Sequence, residues 1–256
     1  METEIEAVIK YFKNGGQLHY YGSEFKAAKI ADLLPEYQYL YSGDAPDMFF
    51  KKDDLVIIIE HFEFDCYKAT QKGSDFRREL ARIQRNEEAV PSTEEGEVLR
   101  DVIHGSSSYE YYISNVTKAF KEHYAHIDLY IDNLRKSGAI DKNSHIKVLF
   151  FIEDVSPLGC VAVERTNSES ELVLVTLAES REFLDLLRDN TRVDFVLACS
   201  SYSNEPYIWF IDRTELDAYY EQALDYHSMR FAEFTPRVRV FKKLITIDET
   251  GEIRGN

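Results

Sequence analysis

The sequence predicts an α/β protein with a mixed central sheet flanked by helices. Short apolar runs rich in β-branched residues recur along the chain, and the clearest, Leu55–Ile59, is typical of a strand buried on both faces. Segments with apolar residues at three- and four-residue spacing separate many of these runs, most clearly over residues 108–137. Strands that alternate with helices indicate the α/β class, and a hairpin pattern over residues 46–64 makes the sheet mixed rather than purely parallel.

The N-terminal part is predicted to contain a helix, three strands, a long helix and a further strand. Ser23 is a suitable N-cap for the first of these helices. Ser107, followed three residues later by Glu110, matches a capping box at the start of the long helix, and Gly138 ends it. The predicted bounds are helix 23–33, strands 37–41, 46–51 and 55–64, helix 108–137 and strand 145–152, with a short helix over 4–12 and a polar helix over 76–90.

The C-terminal part is predicted to alternate strands and helices. The predicted elements are strand 172–177, helix 179–188, strands 193–199 and 206–211, helix 214–226 and a closing strand over 237–247. Residues 156–171 are the candidate position for a domain boundary. We expect a single α/β domain over residues 1–256, with a core over 1–155 and an elaborated C-terminal part over 156–256.

Composition and charge exclude several classes of protein. The net charge of −16 argues against a protein that coats nucleic acid non-specifically, although it allows a local basic patch. No apolar run is long enough to span a bilayer, and the acidic N-terminus lacks a signal-peptide pattern, so we expect no membrane partner and a cytoplasmic location. The three cysteines are widely spaced, which indicates free, partly buried thiols.

The strongest functional indication is a group of carboxylates at the end of the apolar run 55–59. Glu60, Glu63 and Asp65 follow this run within six residues. Asp47 follows Pro46 at the start of a short apolar stretch, and a hairpin would bring Asp47 close to the acidic end of the second strand. Clustered carboxylates at the end of a buried strand are costly unless they bind a cation or are otherwise paired.

This order of elements, with Pro46-Asp47 on the second strand and acids late on the third, resembles the PD-(D/E)XK nuclease superfamily. The resemblance covers about the first 155 residues and implies a restriction-endonuclease-like core of the form α-β-β-β-α-β over 1–155. It implies that Asp47 and Glu60, at a spacing of 13, bind Mg²⁺ or Mn²⁺, with Glu24 as an assisting helix carboxylate. Mg²⁺ takes carboxylate oxygens and keeps several waters, which suits phosphodiester hydrolysis.

The sequence departs from the superfamily motif at its lysine. Phe62 occupies the position two residues after Glu60, and if Glu63 is the second acid, Asp65 occupies that position instead. Because strand side chains alternate between faces, Glu60 and Phe62 are predicted on one face and Glu63 on the other. Lys68 or Lys72 is the candidate surrogate lysine, and Glu63 is an auxiliary acid.

A basic segment follows the acidic strand and is the candidate nucleic-acid-binding surface, with Arg77, Arg78 and Arg82 as its proposed contacts. His123 and His126, three residues apart on the long helix, are expected to be exposed or packing side chains. The resulting expectation is a metal-dependent nuclease acting on nucleic acid. The alternative is a catalytically inactive nuclease-like fold that serves as a binding or regulatory protein.

Overall fold

The computed structural model describes residues 9–10, 12–34, 38–39, 46–70, 73–75, 77–78, 81–82, 107–156, 161–166, 169–200, 207–226, 230–231, 245–247 and 253–255. The chain divides into two compact units, and each is treated by itself below. The first unit comprises residues 1–66 and 109–232, and the second comprises residues 67–108 and 233–256.

Helices and strands alternate along the described residues. The helices are α1 (Glu24–Leu33), α2 (Tyr109–Ala125), α3 (Ile127–Lys136), α4 (Arg181–Asp189) and α5 (Leu216–Tyr220), with 3₁₀ turns at Leu177–Glu179 and Arg213–Glu215. The strands, numbered along the whole chain, are β1 (Gln38–Tyr39), β2 (Met48–Lys52), β3 (Leu55–Phe64), β4 (Ala69–Thr70), β5 (Gly73–Ser74), β6 (His145–Asp154), β7 (Val161–Thr166), β8 (Glu169–Leu174), β9 (Phe195–Ser200), β10 (Tyr207–Asp212), β11 (Arg230–Phe231), β12 (Ile245–Ile247) and β13 (Ile253–Gly255).

The first unit is built on a mixed sheet of the order β1-β2-β3-β6-β9-β10. Strand β3 is parallel to β6, and β6 is parallel to β9, whereas the pairs β1–β2, β2–β3 and β9–β10 are antiparallel. A second, smaller sheet has the order β11-β7-β8. The predicted α/β class with a mixed sheet and flanking helices is therefore confirmed.

Strand β3 lies inside the sheet and is covered on both faces, as its continuous apolar run predicts. On one face, Ile57 and Ile59 belong to the same buried cluster as Ile30 of α1. On the other face, Phe62 packs edge-on against Phe150, with ring centroids 5.4 Å apart, and Phe150 in turn meets Phe120 of α2 at 5.1 Å. Helix α1 thus covers one face of the sheet and helix α2 covers the other.

The Ser23 cap and the Gly138 stop agree with the sequence, but α2 begins at Tyr109, with Ser107 in an isolated β-bridge before it, and the predicted long helix is two helices. The Ser23 side chain accepts a hydrogen bond from the Lys26 N–H at the start of α1. Gly138, with φ +76°, follows α3 in the left-handed conformation that glycine tolerates. Between α2 and α3, the His126 N–H donates to the His123 carbonyl at 3.0 Å, a tighter i→i−3 bond that interrupts the α-helical pattern.

Two C-terminal predictions differ from the structure. Strand β8 ends at Leu174, so the predicted strand 172–177 is displaced, and a 3₁₀ turn follows. The predicted helix 214–226 is a 3₁₀ turn followed by the short helix α5, because the chain leaves the helix to pair elsewhere: the Leu224 N–H donates to the Glu179 carbonyl at 3.0 Å. The segment 156–171, the candidate domain boundary, contains β7 and the start of β8.

The second unit contributes two short antiparallel pairs, β4–β5 and β12–β13. Residues 77, 78, 81 and 82 of the predicted helix 76–90 are helical, and the rest of that segment lies outside the described residues. Of the predicted strand 237–247, the structure describes residues 245–247, which form β12.

Cys66 and Cys199 are buried and free, as predicted, whereas Cys160 lies outside the described residues. In the part of the chain that the structure describes, no helix is both long and apolar enough to cross a bilayer.

Candidate functional site

Asp47 and Glu60 lie side by side, as the sequence predicts. The antiparallel pairing of β2 with β3 sets Met48 opposite Ile59, so Asp47, just before β2, lies beside Glu60. The Asp47 N–H donates to Glu60 Oε2 at 3.4 Å, and Asp47 Oδ2 accepts a hydrogen bond from the His61 N–H at 2.8 Å. The hairpin therefore fixes both carboxylates through backbone groups of the neighbouring strand.

The two carboxylates are close enough to disfavour each other's charge. Partial desolvation of the Asp47 carboxyl raises its pKa, even though the residue as a whole is exposed, and the negative charge of Glu60 raises it further. Glu60 is only 5% exposed, whereas Asp47 is exposed at the surface. A divalent cation between these groups would remove this electrostatic cost, and the exposure of Asp47 provides access from solvent.

Glu60 is also held from the helix side of the sheet. His123 Nδ1, near the end of α2, lies 2.9 Å from Glu60 Oε1, and the Tyr130 hydroxyl of α3 donates to the same oxygen at 2.8 Å. Burial raises the pKa of Tyr130, and the Glu60 charge adds to this effect, so its hydroxyl keeps its proton as a donor. These contacts leave Oε2 as the oxygen of Glu60 on the side of Asp47.

Sequence reasoning did not assign His123 or Tyr130 to this site. His123 was expected to be an exposed or packing side chain, and its ring does stack on Phe62, with centroids 4.5 Å apart and an interplanar angle of 12°. In an unbroken helix the seven-residue spacing of His123 and Tyr130 would place both on one side, but the break at His126 lies between them, so the spacing alone does not place them. That both side chains meet Glu60 depends on how α2 and α3 dock on the sheet.

The motif position expected to hold a lysine is part of the core. Phe62 is 5% exposed and packs between His123 and Phe150. The ammonium group of a lysine at this position would be buried. Position 62 is therefore a core position and does not supply the lysine of the motif.

The opposite face of β3 carries a separate group of polar side chains. His61 Nε2 lies 3.2 Å from Glu153 Oε2, and exposed Glu63 is the register partner of Glu153 across the β3–β6 pair. Side-chain alternation therefore places Glu63 on the other face from Glu60, as predicted. Asp154, the next residue of β6, is the register partner of Phe64 and therefore lies on the other face; burial raises its pKa to about 6, against hydrogen bonds from Ser156 that lower it.

Within the first unit, Glu24 does not join the Asp47–Glu60 pair. Glu24 is exposed in the first turn of α1, which packs on the sheet face that carries Ile57 and not on the face that carries Glu60. Three arginines and one lysine of the prediction, Arg77, Arg78, Arg82 and Lys68, belong to the second unit. Lys72 lies outside the described residues.

The two carboxylates fit one mode of magnesium binding. Among the described residues, no three His, Cys, Asp or Glu side chains converge as metal ligands. Mg²⁺ does not require such a cage, because it commonly binds to one or two carboxylates and completes its shell with waters and substrate phosphates. Asp47 and Glu60 Oε2 could hold Mg²⁺ in that way, whereas a structural zinc site would need more ligands.

No family model, curated protein or solved structure matches this chain. The function is therefore argued from the site itself.

Proposed function

We propose that this chain is a metal-dependent phosphodiester hydrolase, a nuclease acting on nucleic acid, with Asp47 and Glu60 as ligands of Mg²⁺ or Mn²⁺. The single observation that carries the proposal is the placement of these two carboxylates side by side at neighbouring strands, where the charge of Glu60 raises the pKa of Asp47. The resemblance to PD-(D/E)XK nucleases supports it, since α1, β1, β2, β3, the α2–α3 pair and β6 follow the expected order in the first unit.

The chain's own residues would orient the site rather than form a large ligand cage. His123 and Tyr130 hold Glu60 Oε1, and the His61 N–H holds Asp47 Oδ2, so a cation would take Asp47 Oδ1 and Glu60 Oε2, the oxygen that also accepts from the Asp47 N–H. Bound Mg²⁺ would supply charge stabilisation for a phosphoryl group and lower the pKa of a bound water.

The proposal assigns substrate binding to basic residues. Arg77, Arg78 and Arg82 would contact phosphates, and Lys68 or Lys72 stays the candidate surrogate for the motif lysine on the basis of the sequence alone. Because the net charge is −16, such binding would depend on a local patch and would weaken steeply with salt. Glu24 and Glu63, predicted as auxiliary acids, are not part of the proposed metal site, because Glu63 and the helix α1 that carries Glu24 lie on the opposite face of the sheet from Glu60.

A second candidate is a catalytically inactive nuclease-like protein with a binding or regulatory role. The observation that favours it is Phe62, which fills the lysine position with a buried ring stacked on His123. In this case the Asp47–Glu60 pair would bind a cation without cleaving a phosphodiester.

Calorimetric titration with Mg²⁺ and Mn²⁺, followed by cleavage assays on single- and double-stranded DNA and RNA, separates these functions. Asp47→Asn should abolish cation binding and reduce cleavage at least about 100-fold, because it removes one of two charged ligands. Asp53→Asn is the matched control: Asp53 is exposed in the same hairpin, its φ of 56° suits asparagine, and it should behave as wild type. Cation binding without cleavage would select the second candidate, and absence of both would overturn the metal site.

A further inference from the structure

The hydrogen bonds of Glu60 determine how many of its oxygen atoms a cation can reach. Oε1 lies 2.9 Å from His123 Nδ1 and accepts from the Tyr130 hydroxyl at 2.8 Å. As a cation ligand Glu60 is ionised, and an ionised carboxylate only accepts hydrogen bonds, so Nδ1 is the protonated nitrogen of the ring. A carboxylate oxygen has two lone pairs, and these two donors therefore occupy Oε1 completely.

Both donors are held in place by packing. The His123 ring stacks on the buried Phe62 ring, with centroids 4.5 Å apart. Tyr130 is 1% exposed, and its ring meets that of His126 edge-on, with centroids 6.3 Å apart. Neither donor can turn away from Oε1 without loss of a packing contact, so Oε1 stays occupied when a cation approaches.

Oε2 is the oxygen of Glu60 that a cation can reach. It accepts a long hydrogen bond from the Asp47 N–H at 3.4 Å and lies on the side of Asp47. The Glu60 side chain is 7% exposed, whereas Asp47 is exposed, so a cation would arrive from the Asp47 side. Glu60 therefore binds a cation through one oxygen and not through both.

Binding through one oxygen affects Mg²⁺ and Ca²⁺ differently. Mg²⁺ has about six ligands in an octahedron, and one or two carboxylates with several waters commonly complete it. Ca²⁺ takes about six to eight oxygen ligands, and bidentate carboxylates often supply part of that number. A glutamate restricted to one oxygen withholds from Ca²⁺ a ligand atom that Mg²⁺ does not need.

We propose that His123 and Tyr130 determine the cation selectivity of the Asp47–Glu60 site, because they limit Glu60 to one oxygen and so favour Mg²⁺ and Mn²⁺ over Ca²⁺. The inference rests on the metal site of the proposed function and adds the residues that select its cation. Both residues act through Glu60 and are positioning residues.

Competition against Mn²⁺ tests the proposal without an activity assay. Bound Mn²⁺ is followed by water proton relaxation, and Mg²⁺ and Ca²⁺ are titrated as competitors. The measured quantity is the dissociation constant of Ca²⁺ divided by that of Mg²⁺, which should exceed one in the wild type. Tyr130→Phe opens a lone pair of Oε1 and should lower this ratio about fivefold or more, because a second oxygen of Glu60 becomes available to Ca²⁺.

Three further variants identify the donors as the cause. His123→Leu removes the other donor and should lower the ratio in the same direction. His123→Asn places an amide N–H near the position of Nδ1 and should keep the ratio within about twofold of wild type. Tyr219→Phe is the matched control: it removes a buried hydroxyl that donates to the Phe210 carbonyl at 2.6 Å, away from Glu60, and should also keep the ratio within about twofold.

The ratio separates selectivity from damage to the fold, because a general loss of structure weakens both ions alike. Four results would overturn the selectivity role alone: Ca²⁺ binding the wild type more tightly than Mg²⁺, an unchanged ratio in both Tyr130→Phe and His123→Leu, an equal shift in Tyr219→Phe, or loss of all three ions from Tyr130→Phe and His123→Leu. Absence of Mn²⁺ binding to the wild type would overturn the proposed metal site together with this inference.

Discussion

The hydrogen bond from Tyr130 to Glu60 permits a quantitative test of how the site is held. Tyr130 is 1% exposed and donates to Glu60 Oε1 at 2.8 Å. Tyr130→Phe removes this donor from a buried carboxylate. Hydrogen bonds to charged groups contribute about 1.5–3 kcal/mol, and His123 remains on the same oxygen, so we expect a loss of about 1.5–2 kcal/mol in the free energy of unfolding.

Urea unfolding followed by tryptophan fluorescence measures this loss. Trp209, the single tryptophan, is buried in the first unit and therefore reports on the unit that contains Glu60. With a slope of about 2 kcal/mol per molar urea, the midpoint should fall by about 0.7–1 M. Tyr219→Phe is the matched control: it removes a buried hydroxyl that donates to the neutral Phe210 carbonyl at 2.6 Å, and should cost about 1 kcal/mol.

A double-mutant cycle identifies the charge as the cause. In a Glu60→Gln background the acceptor is neutral, so Tyr130→Phe should cost no more than about 1 kcal/mol. If Tyr130→Phe is no more harmful than Tyr219→Phe, or costs the same in both backgrounds, then the phenol does not stabilise a charged Glu60 and the description of the site is wrong.

Three further predictions concern metal, pH and the missing lysine. At ten times its Kd, Mg²⁺ should stabilise the wild type by about 1.4 kcal/mol in thermal unfolding and should not stabilise Asp47→Asn, because the variant lacks a ligand beside Glu60. The pKa of Asp154 is raised from an ordinary 3.8 to about 6, so the folded protein favours the protonated carboxyl. The contribution of this group to the free energy of unfolding is complete below about pH 4 and is lost as the pH rises through about 6, a loss of roughly 3 kcal/mol. Asp154→Asn should therefore match wild type in urea unfolding near pH 4 and exceed it near pH 8. Phe62→Lys should destabilise the protein by at least about 3 kcal/mol, without gain of cleavage, because the lysine would replace a ring packed on His123.

Each of these predictions has a contrary result. An equal rise in melting temperature with Mg²⁺ in wild type and Asp47→Asn would place the cation elsewhere. A stability difference between wild type and Asp154→Asn that does not change with pH would show that Asp154 does not titrate in this range. A stable Phe62→Lys variant with increased cleavage would show that position 62 can serve the motif after all.

The central strand and its acids could be predicted because they depend on local patterns. A continuous β-branched run requires burial on both faces, and side-chain alternation then separates Glu60 from Glu63 without further information. The short turn before Leu55 fixes the register of the hairpin, and that register brings Asp47 to Glu60.

Other features depended on contacts between distant segments. The break at His126 and the early end of α5 at Tyr220 interrupt patterns that are compatible with longer helices. In the second case the chain forms a backbone hydrogen bond from Leu224 to Glu179, a partner that helical periodicity does not encode.

By itself, the sequence determined the α/β class, the hairpin and the approach of Asp47 to the acidic end of β3, since alternation, apolar runs and turn residues act over a few positions. Only the tertiary structure decided that His123 and Tyr130 fix Glu60 and that Phe62 belongs to the core. The physical reason is that a helix can dock on a sheet in several positions with the same apolar stripe, and the packing of complete side chains selects among them.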